Sequence, residues 1–135
     1  METHVRRFVI AELGKYELYK KQLEEYDQQR QELMESYPTV KWGEYVKTGK
    51  IADPTVRAAI QLERLDAAHA RARFYVKCID DVMDKLPERQ RQIIEQLYIK
   101  KRPMAEIEMS FYLDSRTIYR DLQAALPLFA IRMGL

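Results

Sequence analysis

Between Leu86 and Leu126 the chain reads L-P-E-R-Q-R-Q-I-I-E-Q-L-Y-I-K-K-R-P-M-A-E-I-E-M-S-F-Y-L-D-S-R-T-I-Y-R-D-L-Q-A-A-L, and this stretch restricts the possible folds more than any other. Apolar residues recur at helical spacing, and the pattern is cut twice. Pro87 ends one helix and opens the next, with Glu88 in a first turn that suits the helix dipole. Ile93, Ile94, Leu97 and Tyr98 give that helix an inner face, and Lys100-Lys101-Arg102-Pro103 closes it. Met104, Ile107 and Phe111 mark a short helix, Leu113 fills a turn, and Asp114 is placed to cap a final helix. In that helix Ile118, Leu122, Ala125 and Leu126 fall on one side. Three short helices in this order build a helix-turn-helix unit. Pro127 is expected to end or kink the last helix. The tail L-F-A-I-R-M-G-L is too apolar to stay in water, so it is expected to pack on the upstream helices or on a second copy.

Upstream, residues 3–36 read as one amphipathic helix. Val9, Tyr16 and Leu23 recur every seven positions, Tyr19, Tyr26 and Leu33 form an interleaved series, and Val5 and Leu13 widen the stripe. Glu12 and Arg30 interrupt the seam. Residues 37–53 break the pattern at Pro38, Gly43 and Gly49 and read as a connector, with Trp42, Tyr45 and Val46 folding back on apolar surface. Asp53-Pro54 is a helix start, and a second long helix runs to about 85 on Ile60, Leu62, Leu65, Ala68, Ala72, Tyr75, Val76, Ile79, Val82, Met83 and Leu86. Two such helices joined this way pack antiparallel. The expected fold is all-α: a long helical hairpin over 1–85, then a helix-turn-helix unit with an apolar tail over 86–135.

Composition agrees. The 135 residues hold four glycines and five prolines, which favours helix. Net charge is +2, so affinity for a polyanion has to come from a local patch rather than from the whole surface. The single Cys78 excludes an intramolecular disulfide and fits a reducing cytoplasm; between Val76 and Ile79 it reads as a buried structural thiol. No signal peptide and no long apolar run is visible, so no membrane association is expected. His4 and His69 lack second ligands at metal-binding spacing, and Asp80, Asp81 and Asp84 read as a solvated helix face. No catalytic constellation and no phosphate-binding glycine loop is present. The reading is therefore a non-enzyme without metal or cofactor.

The chemistry that remains lies on the last helix. If Ile118 and Leu122 face inward, Ser115, Arg116, Tyr119, Arg120 and Gln123 face outward. A helix with such a face fits the DNA major groove. Arg116 and Arg120, four apart, suit guanine edges or phosphates. Tyr119 suits a phosphate or a thymine methyl, and Ser115 a backbone contact. Lys100, Lys101 and Arg102 are candidates for phosphates beside the groove.

On the opening L-P-E-R-Q-R-Q-I-I, on Tyr98 and on D-S-R-T-I-Y-R-D-L-Q-A-A-L, the C-terminal part resembles the promoter-reading helix-turn-helix of bacterial sigma factors. With its long helical N-terminal part and its Asp53-Pro54-Thr55 helix start, the whole chain resembles the RinA/ArpU group of phage transcription regulators. The resemblance implies activation of late phage genes, with Ser115, Arg116, Tyr119 and Arg120 reading bases or phosphates. The sigma pattern has a small residue where this chain has Glu108, glycine where it has Tyr112, and often a basic residue where it has Asp121. The first two departures predict a wider turn or a shifted alignment. The expected function is sequence-specific binding of double-stranded DNA in transcription regulation, by a homodimer joined through the N-terminal hairpin or the apolar tail, in the bacterial cytoplasm. Two other classes fit the same pattern: a small terminase-like packaging subunit, marked by a large ring, and an adaptor whose partner is RNA polymerase.

Overall fold

The computed structural model describes residues 1–36 and 54–135; the expected connector, the Asp53 cap and the packing of Trp42, Tyr45 and Val46 lie outside the described residues. The described residues are all-α. The helices are α1 (Thr3–Gly14), α2 (Tyr16–Ser36), α3 (Pro54–Lys85), α4 (Glu88–Ile94, continued by a π-helical turn Glu95–Ile99), α5 (Met104–Phe111) and α6 (Ser115–Arg132).

The single helix expected over 3–36 is two helices. The break is at Lys15, whose N–H turns back to the Glu12 and Leu13 carbonyls. Gly14 precedes it and is the weakest helix former short of proline. It also lies against the end of the π-helical turn: a Cβ there would stand 3.6 Å from Lys101 Cε and 4.0 Å from the Tyr98 carbonyl oxygen.

The residues group into two compact units, one of Met1–Lys20 with Phe74–Leu135 and the other of Lys21–Arg73. The core of the first draws Val9 and Leu13 from α1, Cys78, Ile79 and Val82 from α3, and Ile93 and Ile94 from α4. Ile107 joins it from α5, and Ile118, Leu122, Ala125, Leu126, Phe129 and Ala130 from α6. Each large aliphatic or aromatic side chain sealed there contributes about 1.5–3 kcal/mol relative to exposure. In the second unit Tyr26 and Ala72 are buried. The Tyr26 hydroxyl donates to Asp66, its ring lies 5.2 Å from that of His69, and the Arg73 guanidinium sits 5.4 Å from its centroid. Ile60, expected on the inner face of α3, is exposed.

Pro127 does not end α6, which continues to Arg132. A proline inside a helix forfeits one backbone bond. The helix persists because Phe129, Ala130 and Met133 continue the buried stripe begun by Ile118 and Leu122. The tail thus packs partly into the core, while Leu128, Ile131 and Leu135 remain exposed.

Several charges expected at the surface or as seam defects carry long-range contacts. Glu12 is only 1% exposed and accepts a 2.6 Å bond from the Tyr19 hydroxyl, with the Lys15 ammonium at 3.5 Å. Asp80 accepts from the Tyr16 hydroxyl. Asp81 is bridged to Arg132 at 2.8 Å. Of the expected acidic face, then, only Asp84 is simply exposed. Cys78 is buried as expected; its thiol donates to the Arg132 carbonyl at 3.6 Å and accepts from Arg132 Nη1 at 3.3 Å. Burial pushes the thiol above its usual range.

Candidate nucleic-acid interface

Between α5 and α6 the chain turns on two residues that make the reversal tight. Tyr112 adopts the left-handed conformation, φ 53 and ψ 40, and its N–H returns to the Glu108 carbonyl. Leu113 N–H reaches the same carbonyl at 3.2 Å. The wider turn expected from the missing glycine is therefore not formed: tyrosine takes the glycine-like conformation, at a cost of about 1–2 kcal/mol. The ring that would crowd such a turn points into solvent and is 94% exposed. Glu108, where a small residue was expected, is half-buried.

Asp114 then caps α6, accepting from Thr117 N–H at 2.9 Å. Hydrogen bonds from Thr117, helped by the nearby Arg120 charge, hold its carboxyl below the usual range. The cap sets the rotation of the helix. Ile118, Asp121, Leu122, Ala125 and Leu126 turn inward, while Ser115, Arg116, Tyr119, Arg120 and Gln123 are exposed. Tyr119 is 49% exposed. Arg116 and Arg120 form no ion pair among the described residues. The five α6 residues expected at a reading face thus share one open face, carrying two guanidiniums that are in no ion pair among the described residues.

The basic turn before α5 is arranged differently. Lys100 is bridged to Glu17 at 2.6 Å, and each group stabilises the charge of the other: the ammonium is held above its usual range and the carboxyl below. Arg102 spans Glu106 at 3.2 Å, Gln96 at 3.0 Å and Ser110 at 3.4 Å, tying the π-helical turn to α5. Lys101 is exposed, sits at φ 57 and is in no ion pair among the described residues, although its charge also helps hold the Glu17 carboxyl down. Of the three expected phosphate ligands, two are thus engaged within the protein.

Two features escaped the sequence reading. Asp121, 6% exposed, is held by Arg89 at the start of α4 through bonds of 2.7 and 2.9 Å. A signal was present, since position 121 follows Ile118 by three and precedes Ala125 by four. An acid at an inward helical position requires a partner. The second is the π-helical turn, in which Lys100 N–H bonds to the Glu95 carbonyl at 2.8 Å and Arg102 N–H to that of Gln96 at 2.9 Å. Nothing in residues 95–99 announces that widening.

Among the described residues no group of acids, histidines and cysteines forms a metal-binding cluster, and no helix is long and apolar enough to cross a membrane. Comparisons with family models, with curated proteins and with solved structures each find no match.

Proposed function

We propose that this chain binds double-stranded DNA in a sequence-specific way and regulates transcription, in the manner of the phage RinA/ArpU group that it resembles. The observation that carries the reading is the open face of α6. Its inner side is sealed into the core while Ser115, Arg116, Tyr119, Arg120 and Gln123 stand exposed together, with Arg116 and Arg120 unpaired. Read as a helix-turn-helix, α5 lies across the duplex backbone and α6 enters the major groove. Arg116 and Arg120 specify guanines or clamp phosphates, Tyr119 packs, and Lys101 is the one member of the basic triplet free to contact a phosphate.

The long hairpin belongs to the same reading. In the first unit Tyr16 meets Asp80 while Tyr19 stacks on Tyr75. Partners on α3 fall in number as those on α2 rise, as antiparallel helices require. With one modest patch per chain, two copies are expected to share two half-sites. Leu128 and Ile131, exposed at i and i+3 on α6, together with the exposed Leu135 beyond its end, supply an apolar patch for pairing.

The test is fluorescence anisotropy against duplexes tiled across the neighbouring genome, at low and physiological salt. Wild-type protein is expected to select one duplex, and the Arg116→Ala, Arg120→Ala double variant to lose that selection with its helicity and melting unchanged. Undiminished selective affinity in the double variant would sink the assignment.

A further inference from the structure

Beside the open face of α6 lies a hollow of about 250 Å³, lined by Arg6 of α1 together with Met1, Gln123, Leu126 and Pro127. Arg6 is half-buried there, close enough to the hydroxyl of Tyr98 for its charge to draw that phenol toward ionisation. Burial is the main influence on that phenol and pushes it above its usual range, so at neutral pH it is an uncharged acceptor. It neighbours the guanidinium without cancelling its charge. No carboxylate pairs with Arg6 among the described residues. Arg89, Arg102 and Arg132, by contrast, are each held by an acid.

An arginine has five N–H donors in a planar fork, and a neutral phenol beside it takes up few of them. A half-buried fork without an ion pair, at the edge of an open hollow, matches the two oxygens of a phosphodiester. The hollow shares Gln123 with the face of α6, so a phosphate seated there would lie at the margin of a duplex held by that face. Because α1 enters no groove in this arrangement, the contact carries no base information.

We propose that Arg6 is a phosphate-binding residue that positions the duplex, so that the DNA-binding surface extends from α6 onto α1. This rests on the reading of α6 as the duplex-binding face. It assigns α1 a role beyond supplying Val9 and Leu13 to the core.

The experiment is a salt titration of duplex binding by the full chain, using the selected duplex and an unrelated one. Arg6→Gln, Arg6→Lys and Tyr98→Phe are compared with wild type. Arg6→Gln is expected to weaken both duplexes by the same several-fold factor and to reduce the slope of log K against log salt by about one. Arg6→Lys keeps the charge and should restore the slope. Tyr98→Phe removes the neighbouring hydroxyl but not the charge and should leave the slope near that of wild type. This separates a lost phosphate contact from a lost structural one. An unchanged slope in Arg6→Gln, with wild type binding normally, overturns the assignment of Arg6 and leaves that of α6 standing. A loss confined to the selected duplex would make Arg6 a base reader and also overturns it. Failure of wild-type protein to bind either duplex overturns both readings together.

Discussion

Arg89 grips Asp121 with a forked guanidinium, at 2.7 Å from Nε and 2.9 Å from Nη2, and so fastens the start of α4 to the inner side of α6. The carboxylate is 6% exposed while the arginine remains open to water. Removing the arginine strands a charge; removing the acid merely frees a surface cation. Arg89→Ala is therefore expected to lower the melting temperature more than Asp121→Asn does. Adding Asp121→Asn to Arg89→Ala should recover part of the loss. Thermal denaturation by circular dichroism of the two single variants and the double variant checks the order.

Tyr112 offers a gain. Its left-handed backbone costs about 1–2 kcal/mol, glycine there would escape that cost, and the greater freedom of glycine in the unfolded chain returns about 0.5–1 kcal/mol. Tyr112→Gly is expected to stabilise the protein by about 0.5–1 kcal/mol net, since the exposed ring buries little. Tyr112→Val should destabilise, because a β-branched residue tolerates this region worst. Urea denaturation midpoints for the two variants, moving in opposite directions, are the readout.

Gly14 is a second such position. The modest distances a Cβ would meet there, 3.6 and 4.0 Å, are ordinary contacts. Gly14→Ala is expected to add about 0.5–1 kcal/mol of stability through helix propensity. A larger side chain such as leucine should reverse the sign by pushing Lys101 and the end of the π-helical turn away. Chemical denaturation distinguishes the two.

Three phenols are held back from ionising: Tyr16 and Tyr98 chiefly by burial, and Tyr26 chiefly by its bond to Asp66. In each the folded value lies above the unfolded one, near 10. The folded state thus keeps the proton while the unfolded chain loses it. Stability from these groups is complete below about pH 10 and drains away as pH climbs past that point. Absorbance at 295 nm should show part of the tyrosine signal rising late, only as the protein unfolds. Tyr16→Phe should reduce that late fraction and flatten the alkaline loss of stability.

The proposed pairing of copies is checked at Ile131, 72% exposed in the apolar patch at the end of the chain. Ile131→Glu is expected to halve the mass measured by sedimentation while leaving the helix content intact. An unaltered mass would place the pairing elsewhere.

Much of α5 and α6 was legible, because capping and helical spacing are local. Asp114 caps as its position suggests, and Ile118, Leu122, Ala125 and Leu126 are buried as their spacing requires. What misled was tertiary. Pro127 is a helix breaker by local chemistry, overridden by the burial of Phe129 and Met133. Glu12 and Asp121 looked like defects because their partners, Tyr19 and Arg89, are visible only once the helices are packed. The exposed polar face of α6 was legible as a pattern, whereas the engagement of Lys100 by Glu17, 83 positions away, was not.

The core of the first unit closes only when Val9 and Leu13 meet Phe129 and Met133, which lie more than a hundred positions downstream. A fragment cut at residue 86 to isolate the proposed DNA-reading segment would keep every candidate contact on α6 yet lack α1 and the buried end of α3. Ile79, Val82, Val9 and Leu13 would be missing from the core that Ile118 and Phe129 share. During synthesis α1 must likewise wait for α6 to leave the ribosome before that core can close. Minimal expression fragments should therefore begin at α1, however much the motif itself suggests trimming.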